Sequence, residues 1–181
     1  MTGLSLVASK AAELRNAFDR TRAIPSSSGA EEQTEDLLAI RVSQDAYAIR
    51  VREISGLVTD RKIVAFPTPI PELLGVAGIR GALVPVYSLA ALLGYRAEPE
   101  LARWLALCGT EEPFAIAFSD LEGYVRVPLA QLHSAEQKAV ARTHVEHVLR
   151  ATDMVRAVVS IPLIREAIQR RCGNNSVSKE R

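Results

Sequence analysis

The sequence predicts a mainly β protein built from two similar small barrels that share a core. Three observations carry that expectation. Apolar residues alternate with a period of two through much of the chain. The strand-like runs are short and closely spaced, which suits small barrels rather than a βαβ sheet. A passage in the first half of the chain also returns in the second. The 181 residues suffice for one such domain with short tails, and 48% apolar composition supplies a real core.

In chain order, Leu4 to Arg22 predicts a helix with Val7, Ala11, Leu14 and Phe18 on one face. Pro25-Ser26-Ser27-Ser28-Gly29 and the acidic run from Glu31 to Asp36 then read as a linker. The chain thus divides into an amphipathic appendage with linker (1–34), a main domain (35–171) and a polar tail (172–181). At Leu37 the period changes to two. Leu38, Ile40 and Val42 alternate with Ala39 and Arg41; the polar turn Ser43-Gln44-Asp45 follows, and Tyr47, Ile49 and Val51 alternate again. That pattern is a β-hairpin. Further strands are expected at Ile63 to Phe66, Val76 to Ile79, Ala82 to Tyr87, Arg103 to Cys108, Phe114 to Phe118, Val145 to Leu149 and Val155 to Val159. Two helical pieces interrupt them, Leu89 to Leu93 and Leu163 to Arg171, the second packing through Leu163, Ile164 and Ile168.

The repeat sharpens this scheme. Leu38-Ala39-Ile40, a polar break and Tyr47 through Val58 superpose without a gap on Leu105-Ala106-Leu107, a polar break and Phe114 through Val125. The closing halves correspond more weakly: a strand ends at Ser88 or Ser160 and a short helix follows. Serine suits that place because its hydroxyl oxygen accepts an orphan N–H of the first helical turn. Two barrels are expected from this, roughly 37–93 and 103–160.

Composition narrows the function classes. A net charge of +1 and 5% aromatic residues give no general pull toward nucleic acid or anionic lipid. Cys108 and Cys172 stand far apart and belong to no CxxC pair, so neither a disulfide framework nor a zinc site is implied. The N-terminus carries no signal pattern and no apolar run is long enough to span a bilayer, so the expected place is the cytoplasm.

The most specific passage is Pro67-Thr68-Pro69-Ile70-Pro71-Glu72-Leu73-Leu74-Gly75-Val76-Ala77-Gly78-Ile79-Arg80-Gly81-Ala82-Leu83-Val84-Pro85-Val86. On its own terms Arg80-Gly81 is a turn between two apolar strands, with Gly81 supplying positive φ and Arg80 projected toward a partner. Pro85 argues for an edge or bulge position, because proline donates nothing to a ladder. The passage resembles the chemotaxis coupling family of the CheW type, whose pattern is G-V-x-x-[LI]-R-G-x-[VL]-[VL]-P-V after a proline-punctuated strand. Tyr47-Ala48-Ile49 and Val51-Arg52-Glu53-Ile54 are similar to its Y-x-I/V and V-x-E-I/V segments. The resemblance runs from about Leu37 to Arg171.

The resemblance implies two SH3-like five-stranded barrels and a non-enzymatic adaptor, without cofactor or metal. It implies as partners the signalling tip of methyl-accepting chemoreceptors and the regulatory domain of a CheA-type histidine kinase, with recruitment to receptor arrays. Carried over by position, receptor docking falls to Val51, Glu53, Ile54, Arg80 and Gly81, and kinase contact to Gly75, Val76 and Pro85. Nucleic acid and membrane insertion are not implied. The N-terminal helix, foreign to the minimal family domain, is expected to add self-association or a further partner contact. Departures stand out: Ser88 and Ala90 occupy places where the family usually has aspartate and arginine, and Arg150-Ala151-Thr152-Asp153 replaces a glycine-bounded turn. They suggest a divergent member, one alternative being a scaffold that has lost one partner.

Other constellations carry less. Gly75, Gly78 and Gly81 open no helix and form no dinucleotide fingerprint. His144 and His147 fall on opposite faces of the expected strand, as solvated or turn-capping side chains. Trp104 reads as core or subdomain interface. A small-barrel nucleic-acid module would need a basic groove with exposed aromatics, and a small enzyme would need a site completed at a subunit interface.

Overall fold

β1 (Thr34–Val42) turns at Ser43-Gln44 into β2 (Asp45–Arg50), pairing Ile40 with Tyr47 and Leu38 with Ile49. The computed structural model describes residues 33–95, 102–135, 143–151 and 154–176. The chain divides into two units between Gln33 and Thr34, and every described element lies in the second. The helix expected at Leu4 to Arg22 lies outside the described residues.

After β2 come a 3₁₀ turn (Val51–Glu53), β3 (Gly56–Thr59), β4 (Ile63–Val64), β5 (Leu73–Ile79), β6 (Ala82–Ser88) and helix α1 (Leu89–Leu92). The second half holds β7 (Trp104–Cys108), β8 (Phe114–Phe118), β9 (Asp120–Pro128), a 3₁₀ turn (Leu129–Gln131), β10 (Leu132–Ser134), β11 (Val145–Ala151), β12 (Met154–Val159) and helix α2 (Ile161–Ser176). The fold class is the expected one, mainly β, but the strands form two six-stranded sheets rather than five-stranded units. β3, β9 and β10 were not among the expected strands. β4 stops at Val64, ahead of Pro67, Pro69 and Pro71, which cannot donate to a ladder.

The chain does not fill the sheets in sequence order. One sheet runs β10-β11-β12-β2-β1-β9 and the other β3-β7-β8-β6-β5-β4. Each therefore joins the opening hairpin of one repeat to the remaining strands of the other. The partition into 37–93 and 103–160 gives way to this reciprocal exchange. Its cause is visible in the pairing: β3 leaves its own hairpin to lie on β7, and β9 returns to lie on β1. The symmetry is close. β6 meets β8 in parallel through Val86↔Ala115, and β12 meets β2 in parallel through Val158↔Ala48. Each parallel strand ends at a serine that caps a helix, Ser88 Oγ accepting from Ala91 N–H at 3.3 Å and Ser160 Oγ from Leu163 N–H at 3.5 Å.

The gapless repeat is corrected in its first strand. Ile40 pairs with Tyr47, whereas Phe114, the equivalent of Tyr47, pairs with Cys108 rather than Leu107. The true equivalents are Leu38 with Ala106 and Ile40 with Cys108, because the second hairpin is one residue shorter between these partners. A one-residue slip moves every side chain to the other face. Burial agrees: Ile40, Val42, Tyr47 and Ile49 join Ala106, Cys108, Phe114, Ile116 and Phe118 in the core shared between the sheets. The opposite faces fill two smaller cores, Leu37, Ala48, Val127, Leu149 and Val158 in one sheet, and Ala77, Ile79, Val84, Val86, Leu105, Leu107, Ala115 and Ala117 in the other.

Three expectations change locally. α2 packs through Ile161, Ile164 and Ile168, while Leu163 falls off that stripe and is exposed. Pro85 lies in an interior strand, not at an edge, just before the β6–β8 pairing begins at Val86. Trp104 packs half-buried against the shared core. No helix among the described residues is long and apolar enough to cross a membrane.

Candidate partner-docking site

Arg50 ends β2 on the face opposite Tyr47 and Ile49, which drives a guanidinium into the interior. Its side chain is 5% exposed and is held by charge on every side. Nη1 donates to Glu53 Oε1 at 3.1 Å and to Glu146 Oε2 at 3.0 Å, Nη2 meets His147 Nδ1 at 2.8 Å, and Nε lies 3.5 Å from Glu35 Oε2. A guanidinium only donates, so His147 Nδ1 is the acceptor and its ring proton sits on Nε2. Burial works against the charge of Arg50, but the hydrogen bonds it donates to Glu146 and Glu53, together with their negative charge, outweigh it and raise the pKa. The cluster lines a cleft of about 470 Å³ whose other walls include Leu129, Leu132 and Leu163.

Glu53 sits in the 3₁₀ turn and commits both carboxylate oxygens inside the protein. Oε1 takes Arg50, and Oε2 accepts the backbone N–H of Ile161 at 2.9 Å, at the start of α2. It fastens the turn to the helix. Val51 and Ile54, on either side, are half-buried, and Arg52 is exposed beside Glu35 at 3.1 Å.

Arg80 and Gly81 form the turn between β5 and β6, both exposed, with φ of 50 and 83. Positive φ at both central residues is the pattern of a type I′ hairpin turn. The Arg80 guanidinium reaches back over Gly56, where a Cβ would stand 3.6 Å from Nη2. Gly56 lies two residues beyond Ile54. The structure thus brings Arg80 and Gly81 to the segment that follows Val51, Glu53 and Ile54.

Gly75, Val76 and Pro85 fall on the same hairpin. Val76 pairs with Pro85 and also with Val64, so these three side chains share one row on the outer face. Within the row Val64 is 54% exposed, and on the next row Leu83 is 76% exposed. Gly75 is different: it is buried, at φ 145, and a Cβ there would overlap the Val64 carbonyl oxygen. It seats β4 against β5 and presents no surface of its own.

Arg50, Gly56 and His147 carry no role in the sequence reading. Arg50 follows the strand alternation, but its partners Glu35 and Glu146 are too distant in sequence to announce it. His147, expected in solvent or in a turn, is half-buried on the cleft beside Arg50; His144 adopts φ 66 and its carbonyl accepts Ser160 N–H at 3.0 Å. Burial pushes the Cys108 thiol up to about 12, which leaves it protonated at neutral pH. Among the described residues no group of three His, Cys, Asp or Glu side chains comes together as a metal site.

Comparison by sequence with curated proteins gives no match. Among solved structures the chain is similar to the scaffolding protein TtCheW from Thermoanaerobacter tengcongensis, with 12% identity and a TM-score of 0.64 over 71% of this chain and 90% of that one. At that identity the likeness establishes the fold. Residues 36–167 match the family described as the CheW-like domain. With well over half of its length in that match, the chain belongs to the CheW-like domain family.

Proposed function

We propose that the protein is a non-enzymatic chemotaxis adaptor that joins chemoreceptors to a CheA-type histidine kinase through two surfaces. Family membership supports the adaptor class. The observation that carries the docking assignment is the reach of Arg80 over Gly56, which merges the hairpin turn with the segment after Ile54 into one exposed feature. Receptor docking rests on Arg80, Gly81, Val51 and Ile54. Glu53 serves as a positioning residue, because both of its oxygens already hold Arg50 and α2. The kinase regulatory domain meets the apolar row Val64–Val76–Pro85, with Gly75 fixing the strand beneath it. Aliphatic side chains exposed side by side on a sheet fit a protein partner better than solvent.

The test is binding of the full chain to a receptor signalling-tip fragment and to the kinase regulatory domain from the same genome. Arg80→Ala weakens receptor binding by about 1–3 kcal/mol, the worth of a desolvated charged contact. Its thermal midpoint stays near that of the native chain, since Arg80 makes no hydrogen bond or ion pair among the described residues. Normal receptor binding with a midpoint several degrees lower would make Arg80 a structural residue and remove the assignment.

A further inference from the structure

We propose that the hollow beside Pro85, where the Val64–Val76–Pro85 row ends, receives one aromatic side chain of the kinase regulatory domain and anchors it. The proposal rests on the kinase role given to that row and adds the place where the partner is held.

The alternation of β6 leads into the hollow. Leu83, Pro85 and Tyr87 point to one face, while Val84 and Val86 fill a core on the other. Along the first face burial deepens from exposed Leu83, through half-buried Pro85, to buried Tyr87. Tyr87 packs in the shared core together with Ile164 and Ile168 of α2. Between β6 and α2 the packing leaves a hollow of about 200 Å³, walled by Pro85, Tyr87, Phe114 and Ile168. Pro85 therefore belongs to two features: it pairs with Val76 in the exposed row, and it walls the hollow.

Two prolines account for the gap. The parallel β6–β8 ladder starts at Val86↔Ala115. Pro85 and Pro113, which precede those partners, have no N–H with which to lengthen it. Nor does α2 fill the space, because its side chains there include the polar Arg165 and Gln169. The Gln169 amide donates to Glu112 Oε2 at 3.4 Å, tying the helix to the β7–β8 turn at the rim.

The walls choose the occupant. Tyr87 and Phe114 meet edge to face with centroids 6.3 Å apart, so the hollow presents ring surface. The Arg165 guanidinium stands over Phe114, 5.2 Å from its centroid, in position to cover a second ring as well. An apolar cavity of about 150 Å³ already holds benzene, so this one has room for an aromatic side chain. A single anchor in a pocket, surrounded by weaker apolar contacts, is the arrangement in which interfaces concentrate their affinity.

Gln169→Phe tests the anchor, because it sets a ring of the chain's own at the opening. The affinity of the full chain for the kinase regulatory domain is expected to fall about tenfold or more. Its thermal midpoint stays level or rises, since a void is filled, and binding to the receptor fragment is unchanged. Benzene serves as a probe: it raises the midpoint of the native chain and not that of Gln169→Phe. Native kinase affinity in Gln169→Phe, with Val64→Lys impaired, would overturn the anchor and leave the kinase row standing. Native affinity in both variants removes both. Loss of self-association in Gln169→Phe, with kinase binding intact, gives the hollow to a second copy and overturns the proposal. Should Gln169→Phe lose receptor binding in step, the native chain decides: a midpoint that benzene does not move overturns the hollow.

Discussion

Arg50 occupies the place that Ala117 holds in the other half of the molecule: Arg50 pairs with Leu37 as Ala117 pairs with Leu105. Ala117 lies in an apolar core, so the architecture does not require an arginine there. A buried charge is costly unless it is paired and hydrogen-bonded, and removing one member of a buried group strands the others. Arg50→Met leaves Glu53, 13% exposed, without its cation, and Glu35, 8% exposed, with Arg52 alone. The expected loss is about 3–5 kcal/mol, read as a lower urea midpoint with an unchanged slope. Adding Glu35→Gln and Glu53→Gln recovers a substantial part. The stranded charges are then gone, while the amide oxygen introduced by Glu53→Gln still accepts from Ile161 N–H. A single variant as stable as the native chain would show that the cluster contributes nothing net. None of this was legible in the sequence, where strand alternation sets Arg50 only on the face opposite Tyr47 and Ile49. Its parity was right, but the face it points to is covered by β11 and α2, which come from the far end of the chain.

At the scale of elements, the local signals were reliable where one face was apolar and the other was not. Both helices were visible for that reason, whereas β7 and β8, apolar and buried on both faces, were visible as short apolar runs bounded by polar turns. β9 was missed because Gly123 dilutes its inward face and Tyr124 sits outward, 53% exposed. The strand is held by pairing with β1 instead, including the two hydrogen bonds of Arg126 to Asp36 at 2.6 and 3.0 Å. Gly75 gives a second case in which the glycine was seen and its task was not. Gly75 and Gly78 stand three residues apart in one strand, and the structure separates their tasks. A Cβ at Gly75 meets the Val64 carbonyl, whereas one at Gly78 meets nothing within 4 Å. Gly75→Ala is therefore expected to cost about 2–4 kcal/mol through overpacking and positive-φ strain. Gly78→Ala is expected to be near neutral or slightly stabilising, through lower chain entropy in the unfolded state. Hydrogen exchange at Ile63 to Ala65 reads the difference directly: Gly75→Ala speeds it and Gly78→Ala does not. Equal exchange in both variants would mean that Gly75 does not seat β4.

For the whole molecule the internal repeat foretold two related halves, and the pairing shows that the halves are not separable. A repeat seen in sequence cannot say whether its strands pair at home or across, since β3 would bury the same side chains against either hairpin. The decision is long-range. Here β3 crosses to β7 and β9 crosses to β1, so each sheet is completed by strands from the other repeat. The shared core adds to this, drawing Ile40, Val42, Tyr47 and Ile49 from one repeat and Phe114, Ile116, Phe118, Val159 and Ile164 from the other. A fragment of residues 34–95 therefore keeps a β1–β2 hairpin and a β4–β5–β6 meander that have lost the strands lying between and beside them. Isolated hairpins and small meanders of this kind are marginal in water. Fragments 34–95 and 96–176 are each expected to lack near-UV dichroism and a cooperative thermal transition when expressed alone. Mixed in equal amounts, they are expected to recover both, because each supplies the ladder and core that the other lacks. Sequential barrels, one per half, would instead give two fragments that fold independently and gain nothing on mixing. A cooperative transition in fragment 34–95 alone would contradict the exchange of strands, and with it the coupling of the Arg80 turn to Gly56 through strand β7 of the second repeat.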